Sequence, residues 1–419
     1  MVEIWLPYGS TEVCVTVPPE NFLGTVEPKN KPETSNPDEE IKYALEHPIN
    51  SPRLGELVKP GMKVAIVVEN KSTHTKLMVS QLLGELNGAG IDDSTITILL
   101  GSVTEPITSE EAKRILGEDI YNRISTVVHN HNSSDLVEVG VTQYKTHVML
   151  NRIFVEADVK ILTGYIRSHP YVGYEGDGQT VLSVGGAKTL RHNHGLIADL
   201  KSSNVDLENN SVYLDMKETV SFVKIDFALN AVTDEMNDVV KAFAGNMKSV
   251  FSEGIKLYDS IYKISVTRFA DIVIVSPGAP QYDCDLYHAV ESIEHAVDIV
   301  KDSGMIILVA ECSRGHGNSN FINWMTRFKS FGDIRSEIKK NFVVGSHAAF
   351  LLLRALEKKR ITLVSSMPEF MVSGVFKIRA AKSVNEALQT AFRSVGRNGK
   401  VWIIPKGQVT LPILEQAPL

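Results

Sequence analysis

Between Thr163 and His194 the chain reads TGYIRSHPYVGYEGDGQTVLSVGGAKTLRHNH, the stretch whose residue types and spacing best suit chemistry. It follows an apolar run directly, so His169 sits just past a strand end, and glycines stand at 173, 176, 178, 185 and 186. A strand that opens into a glycine-rich turn and then a helix offers backbone N–H groups able to cradle an anion such as phosphate. Gly173, Gly176 and Gly178 are therefore candidate cofactor contacts. Their spacing is not GxGxxG, which argues against an ordinary dinucleotide fingerprint, and the same glycines would equally make a mobile loop. His169, His192 and His194 suggest a metal centre as one use of the segment. His192 and His194 are two apart and point in different directions on a helix, so at most one of them joins His169. A lone helix histidine is more often structural, and His192 is read that way.

The elements that must carry this segment are visible as apolar runs. VAIVVE (64–69), TITILLGS (95–102), STVVHN (125–130) and ADVKILTG (157–164) read as buried strands, with a helix over Thr75 to Asn87 and a capping box at Thr108-Ser-Glu-Glu. Strands alternating with helices predict parallel βαβ units. The opening residues predict a hairpin around Pro7-Tyr8-Gly9-Ser10, and residues 27–60 a surface excursion with a short helix near Glu39 to Glu46. Beyond His194 a strand is expected at 223–231 and a helix from about Asp234 to Glu253. A second βαβ series starts at ADIVIVSPG (270–278) and runs through MIILVAEC (305–312), RITLVSS (360–366), GVFKIRA and KVWIIP. The expected fold class is α/β, with two domains, 1–260 and 261–419, each holding a mainly parallel sheet flanked by helices. A ligand crevice is expected between them.

The 419 residues carry 43% apolar and 22% charged side chains with a net charge of −7, which places the chain among ordinary globular proteins and away from nucleic-acid binders. No apolar run is long enough to span a membrane, and the first residues lack a signal-peptide pattern. Three isolated cysteines, Cys14, Cys284 and Cys312, make no disulfide framework, so a cytoplasmic location is expected.

The span from NHNSSDLVEVGVTQYKTHVMLNRIFVEADVKILTG through SHPYVGYEGDG to RHNH resembles the central signature of the lactate racemase family, and SPGAP, DLYHAV and AECSRGHG extend the likeness into the C-terminal half. That resemblance implies a nickel-pincer nucleotide, a nicotinate-derived cofactor holding nickel, and partners that make it and insert the metal. It further implies that His194, within Asn193-His194, ligates nickel; a neutral imidazole suits that metal. By the same resemblance His169 is one of two histidines acting as acid and base at the substrate hydroxyl while hydride passes to the cofactor and returns.

The chain departs from the family pattern at several places. The second histidine, expected after the second strand, is replaced by Val103 or Thr104 in GSVTEPITSEE. His74 is a candidate substitute from the neighbouring strand end; the alternative is an exposed histidine at a helix start. In ENKSTHT (69–75), Ser72 stands where the family has a carboxylate-gripping arginine, and Lys71 supplies charge without the bidentate fork. Both are assigned to the ligand-contacting segment on the cofactor side. Arg167 is the candidate replacement for the carboxylate grip, or else a surface ion-pair partner. Gln179 replaces the lysine that anchors the cofactor covalently, so the cofactor is expected to bind non-covalently. In the C-terminal half Gln281 and Tyr282 replace a Pro-Lys pair that touches ligand, and His347 is a weaker candidate for substrate contact. The expected activity is racemisation or epimerisation of a small-molecule 2-hydroxy acid other than simple lactate. The alternatives are a family-derived binding or sensor protein without turnover, and an enzyme that uses the glycine-rich turn with another nucleotide.

Overall fold

The computed structural model describes residues 1–29, 31, 36–69, 74–103, 107–200 and 206–415. The chain divides into two compact units, Lys31–Tyr258 and a second made of Met1–Asn30 with Asp259–Leu419.

The Lys31–Tyr258 unit is built on a six-stranded sheet in the order Val239–Gly245, Phe227–Thr233, Val159–Ile166, Val64–Val68, Ile96–Leu100, Ser125–Val128. The last five run parallel, and Val239–Gly245 closes one edge antiparallel to Phe227–Thr233. Every residue of Val64–Val68 and of Val159–Ile166 is buried, as expected of parallel strands covered on both faces. The helix Thr75–Gly88 turns Met78, Val79, Leu82, Leu83 and Leu86 inward, an i, i+4 stripe that packs into the core of this sheet. Thr108 and Glu111 form the expected capping box on Ser109–Leu116.

The second unit has an all-parallel six-stranded sheet in the order Arg379–Ala381, Arg360–Val364, Val300–Val309, Ala270–Val275, Val401–Ile404, Phe22–Thr25. The first thirty residues, assigned from sequence to the N-terminal domain, belong here instead. Phe22–Thr25 pairs with Val401–Ile404, and Leu6, Val15 and Val17 of the hairpin Val2–Tyr8/Thr11–Val17 share a core with Ile272, Ile307 and Ile403. The helix expected from Asp234 to Glu253 is also corrected. Residues 239–245 form a strand, paired residue by residue with Phe227–Thr233, and the helix starts only at Met247. VVKAFAG alternates buried and exposed positions in its middle, a short period of two that the long helix beyond it masks.

Candidate active site

The candidate site lies in the Lys31–Tyr258 unit, where strand register places it. Val68 pairs with Thr163, and Gly164 with Asn230, so Glu69, just past the C-terminal edge of Val64–Val68, is level with Gly164 and Asn230 inside the two longer neighbouring strands. Edges of this kind are where open parallel sheets gather ligand groups. The glycine leaves the middle of that row without a side chain; a Cβ there would lie 3.5 Å from Thr180 Oγ1 and 3.7 Å from Asn230 Oδ1. Thr180 and Gln179 come from the helix Asp177–Leu182. Thr180 Oγ1 donates to Glu69 Oε2 at 3.3 Å. Burial, reinforced by the nearby Glu175 carboxylate, pushes the Glu69 carboxyl up to about 8. Asn230 is 1% and Gln179 2% exposed, and among the described residues the Asn230 amide atoms and Gln179 Oε1 have no hydrogen-bond partner. Buried polar atoms left this way are costly, and a ligand that supplies their partners recovers that cost.

Past Ile166 the chain makes a tight hairpin, Ser168-His169 pairing antiparallel with Gly173-Tyr174. Gly173 takes φ 97°, the left-handed conformation that glycine adopts without strain. The hairpin folds back on the His169 ring: Nδ1 accepts the backbone N–H groups of Tyr171 at 3.4 Å and Val172 at 3.2 Å. A neutral ring accepting at Nδ1 carries its proton on Nε2. Burial, with Arg167 adding its charge, holds the His169 pKa down at about 3, so the ring is neutral at pH 7. Its Nε2 lies 4.0 Å from Glu175 Oε1.

His194 lies near the end of the helix Ala187–Gly195 and is 1% exposed. Its Nδ1 meets Asn193 Oδ1 at 3.0 Å; a carbonyl oxygen only accepts, so this nitrogen donates and the lone pair of the neutral ring is on Nε2. Burial, then the neighbouring His169 and His131, lowers its pKa to about 3. The two imidazoles meet through one phenol. Tyr171 stands edge-on to His169, with centroids 4.4 Å apart, and edge-on to His194, at 5.5 Å. His192 is exposed, and its Nε2 contacts the Tyr144 carbonyl oxygen at 3.0 Å.

The remaining candidates are scattered. Arg167 presents Nε to Glu175 Oε2 at 2.5 Å and Nη2 to Oε1 at 3.3 Å, so its fork is engaged by a carboxylate of the protein. His74 precedes the helix Thr75–Gly88 and pairs with Asp238 at 3.2 Å. Lys71, Ser72 and Thr104 lie outside the described residues, while Val103 is buried. Gly176 adopts φ 110° ahead of Asp177–Leu182, and a Cβ on Gly178 would meet Met216 Cγ at 2.6 Å, so this glycine lets two helices touch. In the other unit, Tyr282 is buried and Gln281 exposed on Pro280–Asp283, and His347 Nε2 contacts Tyr287 Oη at 3.3 Å.

The roles of several residues of the site carry no signal in the sequence. His129 Nε2 and His131 Nδ1 both contact the Gly185 carbonyl oxygen, at 2.9 and 2.7 Å, and His131 Nε2 reaches the Ser102 carbonyl at 2.7 Å. These two rings fasten the ends of Ile96–Leu100 and Ser125–Val128 to the turn before the His194 helix. Glu69 and Glu175 lie inside the ENKSTHT and SHPYVGYEGDG segments without any signal of a role, and only the fold brings them together with Asn230. In the second unit Cys284, Asp285 and His288 hold ligand-type atoms within 4.8 Å of one another. Asp285 caps the helix Leu286–Ala289, accepting His288 N at 3.0 Å and Nδ1 at 2.8 Å, which accounts for the grouping.

The lactate racemase N-terminal domain model matches residues 8–206 and the lactate racemase C-terminal domain model residues 266–411. Lactate racemases of Thermoanaerobacterium thermosaccharolyticum and Lactiplantibacillus plantarum are each 27% identical over 97% of this chain, covering 98% and 99% of their own lengths. The lactate racemase apoprotein structure from T. thermosaccharolyticum superposes with a TM-score of 0.90 at 26% identity, covering 99% of this chain and 100% of that one. A Thermotoga maritima protein structure shares the fold, with a TM-score of 0.66 at 18% identity over 92% of this chain and all of its own.

Proposed function

The chain belongs to the lactate racemase family, and on that premise we propose that it racemises or epimerises a 2-hydroxy acid other than simple lactate, using a nickel-pincer nucleotide. The observation that carries the reading is the opposite tautomers of two buried, neutral imidazoles on either side of Tyr171. His194 holds its proton on Nδ1 and offers Nε2 as a nitrogen donor, which fits nickel. Gln179 fits a non-covalent cofactor, because its amide nitrogen is delocalised and its buried Oε1 can only accept. When bound, the nickel-pincer nucleotide supplies a centre that takes hydride from the substrate carbon and gives it back.

His169 presents Nε2–H and can donate to the substrate oxygen, polarising a ketone. To take the hydroxyl proton at Nε2, the ring must first carry its own proton on Nδ1. That requires Nδ1 to leave the N–H groups of Tyr171 and Val172. Removal of the hydroxyl proton by this ring is therefore coupled to movement of the 170–172 hairpin tip. A substrate unlike lactate is supported by Arg167, whose fork is engaged by Glu175, and by the neutral polar row Glu69–Asn230, which favours hydroxyl or amide groups over a carboxylate.

The test is protein coexpressed with cofactor-making and nickel-inserting proteins, assayed by metal analysis, visible spectrum and inversion of a panel of 2-hydroxy acids. One nickel per chain and inversion in deuterated water with little deuterium at carbon are expected; extensive deuterium would refute hydride return. The engaged Arg167 and the buried Val103 favour a second reading, a binding or sensor protein without turnover. Ligand binding with no inversion of any substrate selects it.

A further inference from the structure

Asp215 lies on the helix Ser211–Ser221 and is fully buried. Its Oδ1 accepts the Thr142 hydroxyl at 2.5 Å, and its Oδ2 accepts the Thr146 hydroxyl at 2.9 Å and Asn193 Nδ2 at 2.7 Å. The second hydrogen on Asn193 Nδ2 goes to the Val212 carbonyl oxygen at 3.0 Å. Both amide hydrogens are thus committed to acceptors, one an oxygen of the Asp215 side chain and one a backbone carbonyl. Rotating the amide by 180° would set its oxygen against both of them, two repulsive contacts in a dry interior. Asn193 Oδ1 is therefore forced to the opposite side, where it meets His194 Nδ1 at 3.0 Å. An accepting oxygen at that place requires the hydrogen on Nδ1 and leaves the lone pair on Nε2.

We propose that Asp215 is a positioning residue that acts through the Asn193 amide to fix His194 in the tautomer whose Nε2 can ligate a metal. The proposal extends the assignment of His194 to nickel and depends on it only for the use made of Nε2. Thr142 and Thr146 belong to the turn between Leu136–Val141 and His147–Asn151, and Thr146 N donates to Thr142 Oγ1 at 3.1 Å. The carboxylate is consequently held through both oxygens by one turn, and Oδ2 also accepts from Asn193. Outer groups of this kind orient a ligand ring and raise its basicity, and removing one typically costs about 10- to 100-fold in metal affinity.

The decisive variant is Asp215→Asn, nearly isosteric but with an amide that can present N–H where an acceptor stood. Asn193 is then released to rotate and offer its own N–H to His194 Nδ1. Long-range 1H–15N correlation on histidine-labelled protein reads the ring directly, with His194→Gln used for assignment. The wild-type ring is expected as Nδ1–H, and the Asp215→Asn ring as Nε2–H or a mixture. Nickel retained per chain after coexpression with cofactor-making proteins and exhaustive dialysis is expected to fall correspondingly. A folded Asp215→Asn protein that keeps a pure Nδ1–H ring overturns the proposal. Should that variant not fold, Asn193→Ala decides: loss of the single tautomer supports the relay, and an unchanged Nδ1–H ring overturns it. If the wild type shows the expected tautomer but retains no nickel, the nickel assignment fails and the relay stands.

Discussion

At the scale of single residues, the site is a set of ionisable groups held in their neutral forms, with titration ranges shifted by burial. His169 and His194 titrate near 3 and His129 near 4 in the folded chain, against 6.5 when exposed. A group whose folded pKa is depressed below its unfolded value binds fewer protons when folded. For these histidines stability is therefore complete above about pH 6.5 and falls as pH drops toward 4 and 3. Glu69 has the opposite sign: its folded pKa, about 8, exceeds the ordinary 4.5, so its contribution is complete below pH 4.5 and is lost as pH rises to 8. Between pH 4.5 and 6.5 three histidines oppose one carboxyl, a net of about 3 kcal/mol per pH unit in favour of higher pH. Above 6.5 only Glu69 acts. Stability from these groups should peak near pH 6.5, measured as urea midpoints from pH 5 to 8, and Glu69→Gln should flatten the alkaline side. A curve that rises toward pH 5 would contradict the burial of these rings. For chemistry, His169→Asn is expected to lower inversion by about a hundred- to ten-thousand-fold while nickel content stays at the wild-type level.

At the scale of elements, the helix Ser211–Ser221 ties the two histidines together. Its capping Asn210 donates to the Tyr171 carbonyl oxygen at 3.0 Å, Asp215 grips Asn193, and Met216 packs on Gly178. The sequence showed none of this. A run such as VKILTGYI announces a buried strand by itself, and the histidines stand out by type and by resemblance. Asp215 in SVYLDMKETVS, however, looks like any polar helix residue, because its partners lie 22 or more positions away. The same reason hid Glu69, Asn230 and His131, which become neighbours only through register. Gly101 illustrates the close fit of these elements: a Cβ there would lie 2.2 Å from Ser183 Oγ and 2.5 Å from the Ser183 carbonyl oxygen. The backbone carbonyl cannot swing aside as a side chain would. Gly101→Ala should cost about 3 kcal/mol or more in chemical denaturation, at the upper end for an overpacked site. A cost below about 0.5 kcal/mol would mean that the strand end does not press on the C-terminus of the Asp177–Leu182 helix.

At the scale of the whole molecule, the inner strands of both sheets were legible from their apolar runs, but the edge strand Val239–Gly245 and the partition of the chain were not. Nearness along the sequence suggested that residues 1–30 join the Lys31–Tyr258 unit, whereas Phe22–Thr25 supplies an edge strand to a sheet whose neighbouring strand is Val401–Ile404. Deleting residues 2–25 should therefore weaken the sheet holding Ala270–Val275 and leave the one holding Val159–Ile166 intact. Hydrogen exchange can check this: amides of Ile272–Val275 and Val401–Ile404 should lose protection by about tenfold or more, and those of Ile161–Thr163 should not. Equal loss in both sheets would argue that the two units do not fold separately.

The same two-ended construction has a consequence for synthesis on the ribosome. Leu6, Val15 and Val17 emerge well before the strands they pack against, which come from residues 272–403. While the histidine-bearing unit is being made and can already close on itself, this leading hairpin remains without its apolar partners for hundreds of codons. Nascent chains arrested near residue 260 should thus carry a protease-sensitive leader ahead of a resistant body, and the leader should gain resistance only after the last strands are released.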